Sequence, residues 1–109
     1  MAEEFVRYQK VLLALGDENR RHMILAMMRM PECDGVRVGR IMEACHLSRP
    51  AVSHHLRVLM ETGIVKRRQE GTKNYYYFDA GQEELDGLLN MLAHAREIMG
   101  RMTDRSGEV

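Results

Sequence analysis

Between Leu47 and Phe78 the sequence reads LSRPAVSHHLRVLMETGIVKRRQEGTKNYYYF, and its punctuation leaves few ways to fold. Ser48 is a good N-cap, and Arg49 and Pro50 occupy a first turn where the missing proline N–H costs nothing. Val52, Leu56 and Leu59 then recur at helical spacing up to Gly63, a residue suited to the left-handed position after a helix. "IVKRRQ" and "NYYYF" are β-rich runs around "EGTK", where Gly71 supplies a hairpin turn. A capped helix running directly into a hairpin is therefore expected. The helix turns Val52, Leu56 and Leu59 inward and Arg49, Ser53, His54 and Arg57 outward, with His55 facing sideways, toward the backbone or the hairpin.

The rest of the chain is predicted to be helical. Phe5, Tyr8, Leu12 and Leu15 make one apolar stripe on a first helix over about 3–15, ended by Gly16. Asp17 caps a second helix bearing Ile24, Leu25, Met27 and Met28 and stopped by Pro31. "PECDG" is a turn. A short third helix, about 37–45, places Val38, Ile41, Met42 and Cys45 on one face, and His46-Leu47 connects it tightly to the capped helix. A last helix begins near Gly81, with Leu85, Leu88, Leu89, Leu92, Ala95, Met99 and Met102 spaced as a long seam. A seam that regular in a small domain suits docking on a two-fold partner.

Charge is informative only locally. The 109 residues carry 16 basic and 16 acidic side chains, but residues 36–78 hold eight Lys/Arg against three Glu, a net +5. The flanks are acidic, −1 over residues 1–35 and −4 over 79–109. A basic module between acidic flanks is the electrostatic footprint of nucleic-acid binding. Length and 45% apolar content suit one domain with a modest core. Two cysteines, no signal peptide and no apolar run near the ~20 residues of a membrane span give the expectation of a cytoplasmic protein with no membrane partner. The ten methionines read as adaptable core or interface filler.

Helix, tight turn, helix, hairpin is the order of a winged helix-turn-helix, so the expected fold is mainly α with a small β-hairpin wing (α+β). The order is four helices, two strands and a final helix. One domain spans 1–109, with the helix-turn-helix at about 37–62 and the wing at about 64–78. In such a unit the second helix enters the DNA major groove with its N-terminal residues at base edges. Arg49 suits guanine, Ser53 and His54 can donate to bases or phosphates, and Ser48 with the helix dipole attracts a phosphate. Lys66, Arg67, Arg68 and Lys73 sit on the wing, where they would follow the DNA backbone or touch the minor groove. An enzyme is not indicated, because no glycine-rich phosphate loop, nucleophile–base pair or paired carboxylates stand at motif spacing. The competing reading is a winged-helix protein-interaction module without specific DNA binding.

"LGDENRRHMILAMM", followed by the stretch from Leu47 to Phe78, resembles the ArsR/SmtB family of bacterial winged-helix repressors over about residues 10–80. The resemblance implies a homodimer held by the first and last helices, about 3–15 and 81–102. It also implies binding to an imperfect inverted repeat in a promoter and release by an inducer. Base contacts carried over by position fall on Arg49, Ser53 and His54, with Arg57, Arg68 and Lys73 beside them. Pro50 stands where many members have a small polar residue.

What would be sensed is less constrained. The family's arsenic- and cadmium-type Cys-x-Cys site falls here on Arg37 and Gly39, which cannot ligate a soft metal. Its zinc- and nickel-type site falls on Gly81 and Glu83 with His94 and Glu97 of the last helix. Zinc or another divalent metal is thus a candidate cofactor, although an i,i+3 His/Glu pair also suits a plain solvated helix. Cys33, in a polar turn near Arg37, and Cys45, on an apolar face, are the redox candidates; Cys45 also reads as a buried small hydrophobe. An organic inducer at the dimer interface, or none, completes the alternatives.

Overall fold

A computed structural model describes residues 2–32, 34–79 and 83–106. In chain order the elements are α1 (Ala2–Arg7), α2 (Gln9–Gly16), α3 (Glu18–Met28), α4 (Val38–Cys45), α5 (Arg49–Thr62), β1 (Val65–Glu70), β2 (Lys73–Phe78) and α6 (Glu83–Ser106). This is the expected mainly helical architecture with an antiparallel hairpin.

The predicted first helix is divided at Tyr8, whose backbone (φ −98°, ψ 12°) departs from helical values. The hydrogen bonds from Tyr8 N to Glu4 O and from Leu12 N to Tyr8 O continue across the break, so the chain bends rather than stops. The bend carries the Tyr8 ring into the core, where its hydroxyl end fills the space a Cβ on Gly87 of α6 would need. The buried face therefore runs through Tyr8, Val11 and Ala14, and Phe5 is exposed. On α3, Met23, Ile24 and Met27 are buried while Leu25 and Met28 face out. Asp17 caps α3 as expected, accepting from Arg20 N at 3.0 Å.

The core joins these residues to Ile41 and Cys45 of α4, to Val52, Leu56 and Leu59 of α5, to Ile64 and Val65, and to Leu88 and Met91 of α6. Met91, absent from the predicted seam, is fully buried, and Leu89, Leu92, Met99 and Met102 are exposed. The hairpin pairs Val65 with Phe78 through Glu70 with Lys73. Its turn opens on Gly71 at φ 60°, as a type II′ turn requires. The sequence did not reveal that Val36 pairs with Tyr76 through two 2.8 Å hydrogen bonds, tying the loop before α4 to the wing. Gly35 makes this possible: it holds φ 127°, and a Cβ there would stand 3.0 Å from the Tyr75 Cβ.

Candidate nucleic-acid interface

Ser48 and Gly63 fix the two ends of α5. Ser48 Oγ accepts from Ala51 N at 3.3 Å, and Gly63 closes the helix at φ 82°. The turn before it needs the left-handed conformation at His46 (φ 57°), the one non-glycine with positive φ among the described residues. Beyond Gly63, the Thr62 hydroxyl donates to Leu59 O at 2.6 Å and accepts from Ile64 N at 3.2 Å, setting where the wing departs. The two ends and the buried row Val52, Leu56 and Leu59 together fix the rotation of α5 about its axis. Arg49, Ser53, His54 and Arg57 are exposed on its outer side. All four lie where the sequence places them.

The wing residues divide. Arg67 and Lys73 are exposed, and Lys73 stands beside the turn. Lys66 pairs with Asp79 at 3.4 Å. Arg68 donates to Glu70 Oε1 at 2.9 Å and to Asp34 O at 2.7 Å, and its guanidinium stacks 5.1 Å from the Tyr75 ring centre. It therefore braces the wing against the loop before α4. Between that loop, α4 and the wing lies an open groove of about 720 Å³, lined in part by Arg37, Arg40, Arg49, Asn74 and Tyr75. Arg37 is exposed at the N-cap position of α4, and Arg40 is paired with Glu32 at 3.1 Å. Arg40 was visible in the sequence only as a member of the basic cluster, and Arg37 also as the position where a metal-ligating cysteine is missing.

His55 differs from expectation. It turns neither toward the backbone nor toward the wing but inward, 8% exposed, with Nδ1 3.4 Å from Arg20 Nη1. Burial lowers its pKa from the ordinary 6.5, Arg20 and His54 add to that, and Asp17 opposes them. The paired histidines of "SHHL" thus serve opposite faces, His54 outward and His55 inward.

The sensing candidates stay apart in one chain. His94 Nδ1 lies 3.3 Å from Glu4 Oε1, and Glu97 accepts from Arg101 at 2.8 Å. Glu83 is exposed at the start of α6, while Gly81 lies outside the described residues. Among the described residues no three His, Cys, Asp or Glu side chains gather as a metal site. Cys45 is buried, which raises its thiol pKa and disfavours the reactive thiolate. Cys33 lies outside the described residues. Among those residues, no helix is long and apolar enough to cross a membrane.

A recognition helix with a free polar face, preceded by a short helix and followed by a wing, defines a winged helix-turn-helix transcriptional regulator. The sequence model of the bacterial regulatory protein, arsR family, matches residues 17–67. The chain is 33% identical to an uncharacterized HTH-type transcriptional regulator of Methanocaldococcus jannaschii, over 69% of its own length and 81% of that protein's. It is 34% identical to a cadmium resistance transcriptional regulatory protein, a CadC homolog, of Staphylococcus aureus, over 82% and 70% of the two chains. Among solved structures it resembles reduced HlyU from Vibrio cholerae, with TM-score 0.62, 26% identity and 82% and 90% of the chains covered. A crystal structure of an ArsR family transcriptional regulator shares the fold at TM-score 0.71 and 17% identity, covering 92% and 94% of the chains. The chain belongs to the ArsR family, whose members are transcriptional regulators rather than enzymes.

Proposed function

We propose that this protein is a dimeric transcriptional repressor that binds an inverted-repeat operator and is released by an inducer. The observation that carries the reading is the outer face of α5, where Arg49, Ser53, His54 and Arg57 stand exposed on a helix fixed at both ends. Arg49 would reach guanine, Ser53 and His54 bases or phosphates, and Ser48 a phosphate at the helix N-terminus. Lys73 and Arg67 would follow the DNA backbone. Arg68 would have to leave Glu70 and Asp34 to do so, and we assign it a bracing role.

The dimer is supported by apolar surface the single chain leaves uncovered. Leu89, Leu92, Met99 and Met102 form a stripe along α6, and Phe5, Val6 and Leu13 are exposed on α1 and α2. A solved neighbour with 21% identity and TM-score 0.61, a fragment of Mb0332 from Mycobacterium bovis, is a homodimeric winged helix-turn-helix DNA-binding domain. A two-fold dimer would place two α5 helices on half-sites about one DNA turn apart. In this reading residues 1–109 act as one unit, with helix-turn-helix and wing at the DNA and α1, α2 and α6 between subunits.

The test is footprinting of the upstream DNA with the purified protein, repeated with zinc, a chelator, arsenite and a persulfide donor. Two protected half-sites about one helical turn apart are expected. Release by zinc that fails in a His94→Ala variant would identify the last-helix site. Release by persulfide that fails in Cys33→Ser would identify the turn cysteine. Absence of a sequence-specific footprint would refute the repressor reading.

A further inference from the structure

The face of α5 turned into the core carries one ionisable side chain. His55 is 8% exposed, in the same row as the buried Val52, Leu56 and Leu59. Among the described residues its polar neighbour is Arg20, Nη1 to Nδ1 at 3.4 Å. Arg20 is itself held firmly. Its Nε donates to Ala14 O at 2.8 Å, its Nη2 to Leu13 O at 3.2 Å, and its backbone N to the Asp17 carboxylate at 3.0 Å. Arg20 thus fastens the last turn of α2 to the first turn of α3, with one guanidinium nitrogen left to meet α5.

A guanidinium has donors only, so Nδ1 of His55 must be the acceptor. The ring is then neutral with its proton on Nε2. A proton on Nδ1 would set two donors and two positive charges against each other where Arg20 cannot retreat without abandoning the α2 carbonyls. His55 directly follows Ser53 and His54, the residues assigned to DNA, and the rings of His54 and His55 lie 5.5 Å apart, centre to centre. The charged groups acting on His55 are Asp17 at the α2–α3 junction, Arg20 on α3 and His54 on α5 itself.

We propose that Arg20 and His55 are positioning residues for operator recognition: neutral His55, accepting from Arg20, sets the seat of α5 on α2 and α3, and a proton on Nδ1 unseats it and weakens operator binding. This rests on the operator-binding reading above and adds to it a proton-dependent control of the same helix. No covalent step is involved, only proton uptake from solvent.

The test uses the full-length protein and a labelled promoter duplex, with affinity measured from about pH 8 to about pH 5.5 at constant salt. The wild type is compared with His55→Asn, because an amide oxygen can stand in for Nδ1 without titrating in this range, and both proteins keep His54. Relative to His55→Asn, the wild type is expected to lose specific affinity on acidification, by at most about tenfold per pH unit for each proton taken up. Far-UV circular dichroism at each pH confirms that the folded protein is being compared. Proton–nitrogen correlation spectra of the free wild-type protein are expected to show the Nε2–H tautomer near pH 8, a readout independent of DNA. An Nδ1–H tautomer, or equal pH dependence in the wild type and the Asn variant, would overturn the proposal. Loss of sequence specificity in the wild type at every pH would instead overturn the operator reading, and this inference with it.

Discussion

Aspartate at Leu89 and Leu92 together is expected to turn the protein into folded monomers. In the single chain Leu89 is 64% exposed and Leu92 47%, so neither anchors the subunit's own core. Burying a whole leucine is worth about 1.5–3 kcal/mol, and with about half to two thirds left to cover each residue adds about 1–1.5 kcal/mol at an interface. A two-fold interface counts both residues twice, giving about 4–6 kcal/mol. At 1.4 kcal/mol per decade, the dimer dissociation constant should rise roughly a thousand- to ten-thousand-fold, before adding the cost of placing carboxylates there. Sedimentation equilibrium reads the change, and far-UV circular dichroism checks that the helices survive. Operator affinity should fall with it, because two half-sites are no longer linked. The choice of residue matters: Leu88, one position away and 6% exposed, belongs to the subunit core, and Asp there would unfold the chain. A double variant that still dimerises like the wild type would refute α6 as the interface, and a monomeric wild type would refute the dimer.

Two further outcomes follow from the packing and the charges. Gly87→Ala is expected to cost about 1–3 kcal/mol in denaturant unfolding, because its methyl group would meet the buried Tyr8 ring that joins α1 and α2 to α6; an unchanged midpoint would contradict that packing. Stability should also decline on acidification in two stages. His55 has a folded pKa below its ordinary 6.5, so the unfolded chain takes up that proton first and stability falls as pH drops through about 6.5. Asp17 has a carboxyl lowered from 3.8 mainly by its hydrogen bond from Arg20 N, so its contribution is present above that value and lost below it. Urea midpoints across this range should show the first step in the wild type and not in His55→Asn.

Much of the interface was legible because local chemistry decides it. Ser48, Gly63 and Gly71 act through backbone geometry that neighbours in sequence already define, and the Val52–Leu56–Leu59 row fixes which residues of α5 are left outside. Other elements were legible only in outline. The seam of α6 merged two faces, one meeting the core through Leu88 and Met91 and one exposed through Leu89 and Leu92, and spacings of three and four cannot separate them when both are apolar. A stripe read from spacing alone likewise put Phe5, which is exposed, beside the buried Tyr8. The bend at Tyr8 follows from a ring seated against a glycine 79 positions away, which no local pattern reveals. His55 was misread for a related reason: its partner, Arg20, is 35 residues distant.

Fluorescence anisotropy on the inverted-repeat promoter duplex and on a shuffled duplex of equal composition tests the central claim most directly. It would compare the wild type with Arg49→Ala/Ser53→Ala at two salt concentrations. The wild type should prefer its own sequence by roughly a thousandfold or more. Affinity should fall steeply with salt on both duplexes. The double variant should lose most of the preference while keeping the salt-dependent, sequence-independent part. Equal binding of the two duplexes by the wild type, or a preference untouched by the double substitution, would contradict the claim that the outer face of α5 reads DNA.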